Sequence, residues 1–266
     1  MRRRAMTSEQ ASLKKISGHI NEYDFAELIS GEVNLGSPTD KKDVIDLQHR
    51  SHSVKGGTWW QIFLYARSRL LTNTIFRGLG NIADLMIQCI DAFPEDRNDY
   101  LADKQSAKIR LQEPMRLLKQ EIEKPNIFPA LLEKSLFNGG EVNYLSILPH
   151  TLPNTLSIAE KHFHVFSQRD VVDLLSTHLE IQNSRARNRH QMDAQKVIFR
   201  FNNRNLGEIE IRTDSPTHYR EIKWRVHAPA IFGILTSNLE SVTLANQQIS
   251  VYGTARNQFS INVQAG

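Results

Sequence analysis

The stretch KKDVIDLQHRSHSVKGGTWWQ, residues 41–61, gathers side chains from which a centre for phosphodiester hydrolysis can be built. Two carboxylates, Asp43 and Asp46, flank one short apolar run, and Lys55 closes the next. Breaking a phosphodiester calls for a divalent cation to offset the phosphate charge and sharpen a water nucleophile, and a second positive group beside that water helps. Mg2+ and Mn2+ are hard ions that favour oxygen ligands. Asp43, the main-chain carbonyl of Val54 on the facing strand and water form such a set, with Asp46 as a further carboxylate and Lys55 beside the nucleophile. Strand alternation puts Ser53 and Lys55 on one face and His52 and Val54 on the other. Ser53 and Lys55 are therefore expected to face Asp43.

Val44, Ile45 and Val54 favour strand, and the polar QHR between them supplies a turn, so residues 43–47 and 51–55 read as two adjacent antiparallel strands. Upstream, Leu13, Ile16, Ile20 and Tyr23 recur at helical spacing across residues 7–29, until Gly31 and GSPTD break the pattern. Downstream, TWWQIFLYARSRLL reads as a helix capped by Thr58, with Trp60, Phe63, Leu64 and Leu71 on one face. A clearer helix follows, marked by Ile82, Leu85, Met86, Cys89, Ile90 and Phe93. Pro114 opens or kinks another, carrying Met115, Leu118 and Ile122, and Pro125 ends it. From Gly140 the texture changes to short β-like runs, YLSIL, HFHVF, KVIFRF and GEIEIR, with QRDVVDLLSTHL as a helix among them. The class is α/β.

In order and spacing these residues resemble the PD-(D/E)xK nuclease superfamily. Its pattern is an acid on a first helix, an aspartate at the start of a strand, and acid-x-lysine on the next strand. Glu32, or Glu27, stands for the helix acid, Asp43 for the aspartate and Lys55 in SVK for the lysine. Ser53 departs from the pattern, so the resemblance requires Glu32 or Asp46 to supply the missing carboxylate. Gln61 and Tyr65, four apart on the expected helix, are similar to a motif of the recombination nucleases in that superfamily. The resemblance covers about residues 27–65. It implies a restriction-endonuclease-like mixed central sheet flanked by helices in one domain spanning residues 1–266. The catalytic core would occupy about residues 20–75, a helical insertion about 80–138, and a β-rich recognition part about 140–266.

That recognition part contains GEIEIRTDSPTHYREIKWR. Glu208 and Glu210 share a strand face, and Arg212, Asp214, Ser215, His218, Tyr219 and Arg220 follow. Arginine pairs bidentately with guanine, and Ser, Tyr and Lys reach phosphates, so this turn is a candidate contact with double-stranded DNA. Arg187 and Arg189, in SRARNRHQ, are candidate phosphate contacts. The implied activity is Mg2+-dependent, sequence-specific cleavage of duplex DNA by a homodimer of the type II restriction class, with Mn2+ as a substitute and a cognate methyltransferase as a separate protein. Two alternatives are a recombination or repair nuclease, and a catalytically silent DNA-binding protein that would explain Ser53.

Composition is compatible with this reading without selecting it. The 266 residues carry a formal net charge of +4, which suits a polyanionic partner. A lone Cys89 excludes a disulfide framework and a cysteine-rich zinc site, and points to the cytoplasm. No apolar stretch follows the basic MRRRAMTSEQ, so neither a secretory signal nor a membrane span is expected. No GxxxxGK[ST] or glycine-rich dinucleotide fingerprint occurs, which removes support for ATP-driven translocation and for methyl transfer by this chain.

Overall fold

The computed structural model describes residues 8–36, 41–72, 74, 76–149, 157–186, 188, 191–244 and 248–259. In chain order its elements are α1 (Ser8–Ile29), β1 (Glu32–Val33), β2 (Val44–Ile45), β3 (Ser51–Lys55), β4 (Trp59–Tyr65), α2 (Arg67–Thr72), α3 (Ile82–Asp91), α4 (Arg97–Ala102), α5 (Lys104–Ile122), α6 (Ile127–Phe137), β5 (Tyr144–Ile147), β6 (Phe163–Ser167), α7 (Gln168–His178), β7 (Glu180–Asn183), β8 (Lys196–Phe201), β9 (Arg204–Arg212), β10 (Glu221–His227), α8 (Ala228–Asn238), β11 (Ser241–Thr243) and β12 (Ile249–Tyr252). The protein is α/β, with one mixed and one antiparallel sheet flanked by helices. The chain divides into two compact units, one formed by Met1–Trp60, Leu136–Leu175 and Ala228–Gly266 and the other by Gln61–Ser135 and Ser176–His227. No helix among the described residues is long and apolar enough to cross a membrane.

The first unit is built on a seven-stranded sheet in the order β1-β2-β3-β5-β6-β12-β11. Strands β1, β2 and β3 form an antiparallel meander, and β3 then runs parallel to β5. Strand β3 is paired on both edges and buried on both faces from Ser51 to Val54, as a central strand must be. One face packs Phe25, Ala26 and Ile29 of α1 against Val44, Val54, Tyr144, Phe163, Val165, Ile249 and Val251. His52 belongs to this face, its ring stacked on Tyr144 at 4.9 Å and tilted against Phe25 at 5.1 Å. Each such fully buried side chain contributes about 1.5–3 kcal/mol of hydrophobic stabilisation. Helix α1 turns a different stripe to the sheet than its apolar periodicity suggests. Ile20 and Tyr23, expected in the buried face, are 49% and 56% exposed.

The second unit holds an antiparallel sheet in the order β4-β10-β9-β8-β7. Its apolar face stacks Phe199 on Phe128 and on Trp224, which meets Phe63 edge-on. The predicted stripe of α3 is buried as Ile82, Leu85, Met86, Cys89 and Ile90. Pro114 lies inside α5, which continues past it to Ile122. Residues 59–65 depart from expectation: they form strand β4, and the helix begins only at Arg67. Trp60, Ile62, Phe63 and Tyr65 are all strand-favouring, and the partner strand β10 lies far along the chain. Tertiary pairing thus overrides a spacing that also fits a helix.

Candidate active site

The hairpin of β2 and β3 positions the site. His49, with φ of 60°, turns the chain between them, and Asp46 stabilises the turn by accepting the peptide N–H groups of Gln48 and Arg50 at 2.9 Å each. Just before β2, Asp43 is pinned through its backbone: its N–H donates to His52 (2.8 Å) and its carbonyl accepts from Asn34 (3.0 Å). Its side chain turns toward the end of β3.

Three donors converge on Asp43 Oδ2. They are the Val54 peptide N–H at 2.7 Å, Lys55 Nζ at 3.0 Å and Ser53 Oγ at 3.3 Å. Lys55 Nζ also donates to the Val54 carbonyl at 3.2 Å. The ammonium therefore lies between a carboxylate and a main-chain carbonyl, the two oxygens expected to share a cation. Lys55 is 29% and Asp43 16% exposed at the side chain, so the pair is accessible while Ser53 is fully buried.

The acid on the helix that shares this field is Glu22. Burial raises its carboxyl above the ordinary value, the negative charge of Asp43 adds to the rise, and His19 and Lys55 oppose it. His19 Nδ1 lies 2.9 Å from the Glu22 carboxylate. Glu27 and Glu32, expected in this role, are exposed and line a surface groove with Tyr23 and Leu35. Glu32 lies on the edge strand β1, opposite Ile45. A signal for Glu22 exists in the sequence, because it stands three, four and seven residues before Phe25, Ala26 and Ile29. It stands on the stripe that α1 buries.

Asp46 is turned away from this centre. Alternation along the strand places it with Val44 and His52, and its Oδ2 accepts from Arg50 Nε at 2.9 Å and lies 3.6 Å from His52 Nε2. Burial opposes ionisation of Asp46, yet the nearby His52 ring and the bonds from Arg50 outweigh it and hold the carboxyl at about 2. Asp46, expected as a further metal ligand, is thus engaged by Arg50 and Gln48 on the face away from Asp43. The helix expected to carry Gln61 and Tyr65 is corrected: both lie on strand β4. Tyr65 is buried and stacked on Phe63 at 4.9 Å.

The residues present can be weighed against a divalent cation. Asp43 and the Val54 carbonyl are hard oxygen donors, and Mg2+ is commonly held by one or two carboxylates with water and substrate phosphate completing its shell. Among the described residues no three His, Cys, Asp or Glu side chains cluster closely enough to hold a metal ion on their own. The donor set thus fits a cation that is completed by water and a phosphate ligand, and does not fit a closed structural site.

In the second unit, Glu208 and Glu210 share a face of β9, as expected, but their neighbours neutralise them. Lys196 pairs with both, Lys223 reaches Glu210 at 2.8 Å, and Arg225 Nε donates to Glu208 at 2.9 Å. Burial opposes ionisation of Glu210, and Lys196 and Lys223 outweigh it, bringing the carboxyl to about 2. Of the following turn, Arg212 pairs with Asp214, Ser215 Oγ accepts the His218 N–H, and His218 Nδ1 faces Glu221. Tyr219 donates to the Pro94 carbonyl at 2.8 Å, and Arg220 reaches Asp91 at 3.1 Å and the Ile90 carbonyl at 3.4 Å. Tyr219 and Arg220 are thus tied to the end of α3. Arg187 and Arg189 lie outside the described residues.

Comparison of the chain with protein-family models, curated proteins and solved structures found no match.

Proposed function

We propose that this protein is a divalent-metal-dependent, sequence-specific DNA endonuclease whose site is built on Asp43, Lys55 and Glu22. The observation that carries the reading is the ammonium of Lys55 held between Asp43 Oδ2 and the Val54 carbonyl, at 3.0 and 3.2 Å. The meander β1-β2-β3 followed by parallel β5 supports the restriction-endonuclease-like fold as the frame for those residues. A bound Mg2+ supplies charge neutralisation of the scissile phosphate and acidification of a water molecule.

In that reading Asp43 and the Val54 carbonyl would hold the cation, and Glu22 would supply the carboxylate that Ser53 lacks. Lys55 would orient the attacking water and stabilise the negative charge that develops on phosphate. Ser53 keeps the Asp43 carboxylate in place through its hydroxyl. A homodimer suits a symmetric duplex site, and Mn2+ would serve the same oxygens. The second reading, a silent DNA-binding protein, is favoured by Ser53 itself, since it removes a carboxylate from β3.

Conversion of supercoiled plasmid to linear products separates these readings. The wild type should cut with Mg2+ and not with EDTA, while Asp43→Asn and Lys55→Ala should fold, retain DNA binding and lose cutting. Undiminished cutting by either variant would remove the assignment, and binding without cutting by the wild type would favour the silent protein.

A further inference from the structure

Lys161 stands at the entrance to β6, just after the one-turn 3-10 helix Ile158–Glu160. That turn is fixed by a capping box in which Ser157 and Glu160 bond reciprocally, so the backbone carrying Lys161 is held on its N-terminal side. The Lys161 side chain is only 7% exposed. A lysine is seldom buried so far without a partner, and its partners here are both on α1. The ammonium donates to Asn21 Oδ1 at 3.1 Å and to the carboxylate of Asp24.

Asn21 in turn meets the end of β3. A methyl group placed on Gly56 would stand 3.0 Å from Asn21 Nδ2, so this amide closes on the backbone immediately after Lys55. Lys161, Asn21 and Gly56 thus connect the start of β6, helix α1 and the end of β3 within the first unit. Glu22 is the next residue of the helix after Asn21 and lies between the two Lys161 contacts in sequence. With side chains reaching about 5–6 Å from the helix axis, a roll of α1 by about 20° would carry the Glu22 carboxylate about 2 Å. That is about the length of a Mg2+–oxygen bond, so a roll of this size is enough to change whether a cation held by Asp43 is within reach of Glu22.

We propose that Lys161 is a positioning residue: its buried ammonium, clamped by Asn21 and Asp24, fixes the roll of α1 and so presents Glu22 to Asp43 and Lys55. The inference rests on the reading of this site as a metal-dependent nuclease centre. Lys161 acts through the helix and not on phosphate, which sets it apart from Lys55.

The test uses the full-length protein and two readouts, Mn2+ binding followed by the loss of the free-ion electron paramagnetic resonance signal, and the Mg2+ concentration at half-maximal plasmid cutting. Lys161→Met should weaken Mn2+ binding and raise the Mg2+ half-point by about tenfold or more, the scale found for residues that orient metal ligands. Lys161→Arg should restore both in large part. In a Glu22→Gln background, Lys161→Met should add little, because the two changes remove the same ligand. Should Lys161→Met fail to fold by circular dichroism, Asp24→Asn, which keeps a hydrogen-bond acceptor and removes the charge, takes its place with the same expectations. Unchanged metal half-points in a folded variant, or full additivity with Glu22→Gln, would overturn the positioning role and leave the nuclease reading intact. Absence of both Mn2+ binding and cutting in the wild type would overturn the two together.

Discussion

Replacing Asp46 with asparagine tests whether this carboxylate holds the hairpin or serves the site. Its carboxyl lies at about 2 against an ordinary 3.8. At about 1.36 kcal/mol per pH unit, that difference is worth about 2 kcal/mol of stability at neutral pH. Because the folded value is depressed, the contribution is fully present above about pH 4–5 and is lost as pH falls through about 4 to 2. About half of it is gone at about pH 3. The substituted amide would keep an acceptor for the Gln48 and Arg50 N–H groups but would set its NH2, a donor, against Arg50 Nε and beside His52 in place of the carboxylate oxygen. Urea unfolding followed by tryptophan fluorescence should therefore place Asp46→Asn about 2–3 kcal/mol below the wild type at about pH 7, a gap narrowing by about 1 kcal/mol at about pH 3. The Mg2+ half-point for plasmid cutting should not move at a temperature well below unfolding. A gap independent of pH would refute the electrostatic reasoning, and a raised metal requirement in a fully folded variant would return Asp46 to the metal.

Glu22→Gln should raise the Mg2+ requirement by about tenfold or more, while Glu27→Gln and Glu32→Gln leave it unchanged; equal effects of all three would remove the distinction. The raised carboxyl of Glu22 gives a second sign: ionising it costs stability as pH rises through its folded value, so without metal Glu22→Gln should match or exceed the wild type in thermal midpoint at about pH 7. Loss of stability there would show that Glu22 is a structural anchor. Arg220→Ala should lower stability by about 1–2 kcal/mol through its lost bonds to Asp91 and Ile90. A stable Arg220→Ala variant with relaxed sequence preference would instead make Arg220 a reader of bases.

The site's near half was legible because it is local. Asp43, Ser53 and Lys55 come together through one tight turn, and strand alternation over a few residues is enough to place them on one side. Helix α1 was legible as a helix, yet not in its orientation, because Ile20 and Tyr23 repeat at helical spacing as well as Phe25, Ala26 and Ile29 do. The choice between the stripes is made by the shape of the sheet, which forms from strands spread along the chain to Ile249–Tyr252. Glu22 was missed for that reason. Strand β4 was hidden by the same kind of ambiguity, in an aromatic run whose spacing fits both periods. Lys161 had no sequence signal of its own, since its partners Asn21 and Asp24 lie on an element folded against it from far along the chain.

End mapping of a long, fully sequenced DNA after limited digestion tests metal-dependent cleavage at a defined sequence most directly. With Mg2+ the wild type should give discrete ends that share one sequence, absent with EDTA and absent for Lys55→Ala. Intact DNA under every condition would contradict cleavage, and a ladder growing from the termini would contradict a sequence-specific endonuclease.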